Sequence, residues 1–426
     1  DGYSAFGTNN KYAFFPSVAL AWNINSEKFM AGTSKWLDQL KLRLSYGSNG
    51  NQAISAYQTL DRLSAVKKYL FGDEATPVNG VYLPTNGVGN PNLKWETTNT
   101  FNAGLDYSFL NGRLLGSFDF YVSNTKDLLM SRSVPYMNGY RSIMDNIGST
   151  RNIGLEFVLT SVNIRNKDFE WRTTFNLAWN KDEITKLADN ATQDLTNKWF
   201  VGESSRVYYD YNVVGTWQTN EATWDATKKK YINADGKEIQ KGAVPGSAKL
   251  EDVNGDGVID SNDKKVIGSK LPSITSALTN NFAYKNVYAS FVLTGLFGQW
   301  RQMHDYNFDR WMPEFNYLSG MNYWTEDNPT NEMTSPVYVP FNKHGFYKRM
   351  NYVHIKNVTL GYRLPKEWAN SLGLQSIKCD LSVNNLYTFS NIKNALNFDS
   401  TQDDEKGAVI GYPTARSYMF TLNVSF

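Results

Sequence analysis

Segments in which apolar and polar residues alternate recur along this chain, and the stretches joining them are alternately long and short from end to end. Period-two alternation marks strands that present one apolar face. The first runs from Phe15 to Ile24, with Val18, Leu20, Trp22 and Ile24 on one side, and Pro16 fits only near its end. Leu40, Leu42, Leu44 and Tyr46 then alternate with Lys41, Arg43, Ser45 and Gly47. A Gly- and Asn-rich loop over 48–94 leads to Phe101, Ala103, Leu105, Tyr107 and Phe109. Asn111-Gly112 turns the chain tightly, because both residues tolerate positive φ, and Leu114, Phe118, Phe120 and Val122 return. The hairpin pattern repeats with Ile153, Leu155, Phe157 and Leu159, then Trp171, Phe175, Leu177 and Trp179. Residues 183–271 make a very long connection, strands near 272–284 and 287–298 meet at Lys285-Asn286, and 299–349 make another long connection. Near 351–364 the phase of Val353 and Ile355 changes to that of Val358, Leu360 and Tyr362, which predicts a β-bulge at Lys356-Asn357. Ile377, Cys379, Leu381 and Val383 line the next strand, and 388–416 lead to the last.

That last strand, Ser417 to Phe426, places Tyr418, Phe420, Leu422, Val424 and Phe426 on one face. An alternating strand with a terminal aromatic resembles the closing strand of bacterial outer-membrane barrels, which their assembly machinery recognises; the final strand of a soluble β-sandwich reads the same in isolation. The connections decide between them. About eleven strands with short turns on one side and long loops on the other fit an all-β fold, a transmembrane antiparallel β-barrel with short periplasmic turns and long extracellular loops. Lys41, Arg43, Asp119, Glu156 and Arg172 on the opposite strand faces are costly in a dry sandwich core and ordinary in a wet lumen. Strands one and eleven run the same way, whereas single-chain bacterial barrels have even strand numbers; the chain is therefore expected to be part of a larger barrel.

Composition agrees. Aromatic residues make up 15% of the chain while mean hydropathy is −0.48, as a porin-like wall with wet loops gives. No run approaches the ~20 apolar residues of a membrane helix, so helical spans are excluded. A net charge of +2 argues against a nucleic-acid partner held by bulk charge. Cys379 is alone, which excludes an intrachain disulfide and a Cys-rich metal site. The chain opens on Asp1 without a basic and apolar leader, so no signal peptide is expected within it and it reads as a fragment.

One motif carries metal chemistry. Asp252, Asn254, Asp256, Asp260 and Asp263 stand at positions 1, 3, 5, 9 and 12 of a loop, with the carbonyl of Val258 at 7 and Gly257 at 6, as an EF-hand-type Ca²⁺ loop requires. Asp replaces the usual bidentate Glu at position 12, which lowers the expected affinity, and an ion-free Asx/Gly turn has the same composition. His304, His344 and His354 show no zinc-hydrolase spacing, and neither a nucleophile elbow nor a P-loop occurs, so no enzyme is expected. The long loops are rich in aromatics, among them Trp199, Tyr208, Tyr209, Trp217, Trp300, Trp311 and Trp324. Such rings either pack a loop's own core or offer flat surfaces to sugar rings and peptide side chains.

Several stretches together resemble one family. Asp1-Gly2-Tyr3-Ser4 with Phe6-Gly7, Phe15-Pro16-Ser17-Val18, Leu42-Arg43-Leu44-Ser45-Tyr46-Gly47, and Asn90-Pro91-Asn92-Leu93-Lys94-Trp95-Glu96 are similar to the SusC/RagA-type TonB-dependent transporters of Bacteroidota. Lys126-Asp127-Leu128-Leu129, Asp252 to Gly257, Lys356 to Tyr362, Asn385-Leu386 and the terminal Phe426 continue the match in order. The resemblance implies a barrel of about 22 strands with a plugged lumen, of which this chain is the C-terminal half of the wall. It also implies outer-membrane import of oligosaccharides or peptides, energised through TonB by a segment outside this chain, beneath a SusD-like surface lipoprotein. A passive or adhesive barrel is the alternative, and a soluble carbohydrate-binding β-protein a weaker one. The terminal face of Phe420, Leu422, Val424 and Phe426 is the expected membrane-assembly signal.

Overall fold

The structure is a computed structural model that describes residues 1–71, 76–82, 88–135, 137, 139–303, 320–336, 344–392 and 414–426. Eleven strands form one sheet in chain order. They are β1 (Ser17–Asn23), β2 (Leu37–Asn51), β3 (Glu96–Phe109), β4 (Leu114–Lys126), β5 (Ser149–Arg165), β6 (Phe169–Lys186), β7 (Ile274–Tyr284), β8 (Val287–Gln302), β9 (Tyr347–Arg363), β10 (Ser376–Ser390) and β11 (Ser417–Ser425). Among the described residues no helix is long and apolar enough to cross a membrane.

The chain divides into two compact units, Asp1–Asn163 with Thr174–Ser205, and Ile164–Thr173 with Arg206–Phe426. In the first, β1 to β5 pair antiparallel with their sequence neighbours. The tight turn expected at Asn111-Gly112 is present, and Leu110, Asn111 and Gly112 all take positive φ, at 57°, 56° and 72°. In the second unit β7 to β11 pair in the same way. Lys285 turns β7 into β8 with a φ of 51°. The expected bulge is found where the register of β9 shifts between Ile355 and Asn357 against β10, and between Val292 and Leu293 on β8.

The strand faces separate as the alternation predicts. Leu20, Phe101, Phe118, Leu381 and Phe420 are exposed on one face of their strands. The other face carries Arg43, Asp106, Asp119 and the Thr98–Thr125 and Thr100–Ser123 hydroxyl pairs. Buried aromatic side chains such as Phe6 and Trp95 gather where connections fold over strand ends. The long 183–271 connection is not a plain loop, because most of it is organised by short strand pairs: Val207–Asp210 with Lys265–Ser269, Val213–Thr216 with Ala248–Leu250, and Trp224–Asp225 with Lys230–Tyr231.

Candidate functional site

Polar chemistry in the first unit concentrates on the strand face that carries Arg43. Its guanidinium donates through Nε and Nη2 to Asp106 at 2.9 Å each, and Nη2 also donates to Asp119 at 2.9 Å. Gly104 lies between Arg43 on β2 and Asp119 on β4, and a Cβ there would strike both side chains. Bidentate pairing of this kind fixes orientation as well as charge. The sequence indicates the cation on this face but not its partners.

At the long-connection end of the same unit, Tyr3, Phe6, Phe15 and Trp95 pack with ring centroids 5.3 to 6.3 Å apart, edge to face except for the tilted Phe6–Trp95 pair. Ile54 and Leu93 complete this buried cluster. Glu96 accepts the Leu129 N–H at 2.7 Å, and Asn10 Nδ2 donates to the Asn92 carbonyl at 3.1 Å. The N-terminal stretch and the Asn90-to-Glu96 stretch, far apart in sequence, thus meet in one core that ties loop ends together.

In the second unit, residues 206–271 have their own interior. Trp217, 3% exposed, stacks on the fully buried Tyr231 at 4.1 Å, with Trp224 against the same ring at 4.8 Å. Trp217 Nε1 donates to Gln240 at 3.1 Å, and the buried Gln240 is itself satisfied by the Ala248 carbonyl and the Leu250 N–H. Lys249 covers the indole with its ammonium 4.4 Å from the ring centre. Burial pushes the Tyr231 hydroxyl well above its ordinary value, and it donates to the Gln218 carbonyl at 2.8 Å. The hydrogen-bonded Lys265 ammonium, aided by Asn212, holds the Glu251 carboxyl below the usual carboxylate range.

The aromatics expected to meet substrate divide by burial. Trp217, Tyr208 and Trp324 are buried: Tyr208 packs on Tyr347 at 4.8 Å, and Trp324 donates to Gln218 at 2.7 Å. They fill the interior because an indole or phenol removed from water is worth more in a closed core than on an open loop. Tyr209 is half-buried in its strand pair. Trp199 is half-buried beside Leu187, Leu195 and Met130 around a cavity of about 360 Å³. Trp311 lies outside the described residues. Trp300 lines a groove of about 550 Å³ together with Asn322, Glu332, Arg349 and Asn391. A flat ring beside amide and charged groups can hold a sugar ring or a peptide segment.

The 252–263 loop is folded on itself. Asp252 accepts the Gly255 and Gly257 N–H groups, Asp256 accepts that of Val258, and Asp260 that of Asn262. Asp263 is fully buried and accepts the N–H groups of Val253 and Asp260, closing a capping box with Asp260. The donor set is all oxygen, as a hard cation requires, yet among the described residues no three His, Cys, Asp or Glu side chains converge as a metal-holding group. At the other end of the chain Phe420, Leu422, Val424 and Phe426 are exposed, and the first three stand opposite Leu381, Cys379 and Ile377 of β10.

Comparison with known proteins places this architecture. The TonB-dependent receptor P26 of Formosa agariphila is 33% identical over the whole chain, which spans 44% of that relative. The TonB-dependent receptor SusC of Bacteroides thetaiotaomicron is 31% identical over 86% of the chain and 36% of its own length. The chain thus spans less than half the length of these curated relatives. Among solved structures, that of the RagAB peptide transporter superposes with a TM-score of 0.76 at 24% identity, over 99% of this chain and 44% of the other. The family described as "TonB dependent receptor-like, beta-barrel" matches residues 1–386, and the chain belongs to that family, one of outer-membrane transporters rather than enzymes.

Proposed function

We propose that this chain is the C-terminal part of the wall of an outer-membrane importer for oligosaccharides, energised through TonB and covered by a SusD-like surface lipoprotein. The observation that carries the reading is the two-faced sheet: Leu20 and Phe420 are 62% and 69% exposed on the lipid side, and Arg43 is paired to two carboxylates on the lumen side. A soluble sheet does not leave such rows open to water. In this orientation the long connections, including 183–271, lie outside the cell and the short turns in the periplasm. The Trp300 groove supports a role in holding cargo, with the indole as platform for a sugar ring. Peptide cargo is the second reading, favoured by likeness to the RagAB peptide importer in its open-open state, at 25% identity and a TM-score of 0.74.

The test is uptake by cells that make the full-length transporter as sole importer. Labelled oligosaccharides are expected to enter only when TonB is present, and Trp300→Ala is expected to lower uptake. Entry of peptides alone moves the cargo assignment to peptides. Uptake that persists without TonB identifies a passive barrel.

Ca²⁺ at the 252–263 loop is the second part of the proposal. The fully buried Asp263 carboxylate is balanced there by N–H groups, with no ion pair to Lys or Arg among the described residues. Asp252, Asn254, Asp256, Asp260, Asp263 and the Val258 carbonyl would hold the ion, whose part is to brace the turn.

A further inference from the structure

In the first unit one register row joins Tyr46, Phe101, Val122 and Ile153 across β2 to β5. Toward the long connections the same strand face turns polar. Asn99, Asn124 and Arg151 form the next row, and Lys126 and Ser149 the one after. At a rise of ~3.3 Å per residue these rows lie about 7 and about 13 Å beyond the apolar one. With the long connections outward, as proposed above, this is the direction in which hydrocarbon gives way to headgroups.

Tyr46, Phe101 and Val122 are the floor of a groove of about 580 Å³ whose lining includes Lys126, Arg151 and Lys186. Tyr46 and Phe101 are 51% and 41% exposed, so the floor is open. All three cations are exposed. Arg151 is held in place, its Nε donating to Asn124 at 3.0 Å and its Nη1 lying 3.7 Å from Glu183. Lys126 and Lys186 form no ion pair among the described residues. The groove is thus lined by two exposed lysines, Lys126 on the lipid-facing side of β4 and Lys186 at the end of β6, and by one oriented guanidinium beside the aromatic floor.

We propose that this groove binds the phosphorylated headgroup of an outer-leaflet glycolipid. Lys126 and Lys186 contact the phosphate, Arg151 reaches it from its fixed position, and the acyl chains lie along Tyr46, Phe101 and Val122. Phosphate suits this set because ammonium and guanidinium donors make charge-assisted hydrogen bonds to its oxygens. The acyl chains suit the floor because exposed apolar area next to the bilayer is covered by hydrocarbon at no cost in polar groups. The inference rests on the outward orientation of the long connections proposed above.

The experiment uses the intact transporter in phosphatidylcholine nanodiscs that contain either monophosphoryl lipid A or its dephosphorylated counterpart, with retained lipid counted by native mass spectrometry. Wild type is expected to retain the phosphorylated lipid and not the dephosphorylated one. Lys126→Gln with Lys186→Gln is expected to lower retention about tenfold, equivalent to ~1.4 kcal/mol, and the corresponding double change to Arg is expected to keep it. Equal retention by wild type and the Gln double variant overturns the proposal. Equal retention of the dephosphorylated lipid also overturns it, as it leaves an acyl contact only. Binding of inorganic phosphate that matches the lipid in strength reassigns the groove to a free anion. TonB-dependent uptake by the same variants reports separately on the import reading, since uptake can fail while lipid retention stays intact.

Discussion

The ring of Tyr121 on β4 lies across the bare backbone of Gly154, its register partner on β5, so closely that any Cβ at 154 would strike the ring. Asn180 Nδ2 donates to the Tyr121 hydroxyl at 2.7 Å and fixes the ring in that position. Tyr288 and Gly361 repeat the arrangement on β8 and β9, where the Tyr288 hydroxyl donates to Asp380. Glycine is needed here for close approach and not for an unusual φ.

Gly154→Ala is therefore expected to displace Tyr121 and to cost about 1–3 kcal/mol, the range for overpacking. The measurement is the fraction of heat-modifiable, folded transporter after refolding. In the Gly154→Ala background, Tyr121→Ala is expected to cost less than it does alone, because the two residues share one contact. Strict additivity would show that the ring does not depend on the glycine.

Leu42 and Arg43 are neighbours on opposite strand faces, and their exchanges are expected to differ. Leu42→Arg places a cation toward lipid at ~2–4 kcal/mol near the midplane and is expected to block insertion in an outer-membrane assembly assay. Arg43→Leu is expected to insert with reduced stability, because Asp106 and Asp119 lose the group that neutralises both. Adding Asp106→Asn to it is expected to recover part of the loss. Equal behaviour of Leu42→Arg and Arg43→Leu would show that the two faces are misassigned.

Glu251 gives the 206–271 region an acid-sensitive tie. Its folded pKa is lowered by Lys265 and Asn212, so the unfolded chain binds the proton more readily. The stabilisation is complete above the unfolded carboxylate value of ~4.3 and is lost as pH falls through the lower folded value. Hydrogen exchange of residues 206–271 is expected to accelerate on acidification more in wild type than in Glu251→Gln. Parallel pH profiles would remove the tie from this pair.

Calorimetric titration of the intact transporter with Ca²⁺ is expected to show a site that Asp252→Ala with Asp256→Ala removes, since two charged ligands leave the set. Hydrogen exchange over 252–263 should slow on Ca²⁺ addition in wild type alone. Identical heats for both proteins would leave the loop as a turn braced by its own hydrogen bonds.

Residues 1–426 alone are expected to give no heat-modifiable, protease-resistant monomer in detergent. Among the described residues β1 and β11 each pair on one side only, and lipid cannot satisfy the open N–H and C=O groups, at several kcal/mol each. Co-expression of the rest of a relative-length transporter is expected to restore closure. A stable closed pore from this segment alone would overturn that expectation.

The sequence by itself determined which residues face which side of the wall, the turn at Asn111-Gly112 and the bulge beside Lys356. Each of these follows from period-two alternation or from residues that tolerate positive φ, and both act over a few neighbouring positions. The resemblance to one transporter family was also legible, because its short motifs keep their order along the chain. Tertiary structure alone decided that Trp217 and Tyr231 close a small core while Trp300 lines a groove, since an aromatic residue in a long loop is buried or exposed by partners its own neighbours do not specify. It likewise decided that Arg43 takes Asp106 and Asp119, and that Phe6 meets Trp95. Those contacts join positions 63 to 89 residues apart, and only strand register and loop closure bring them together.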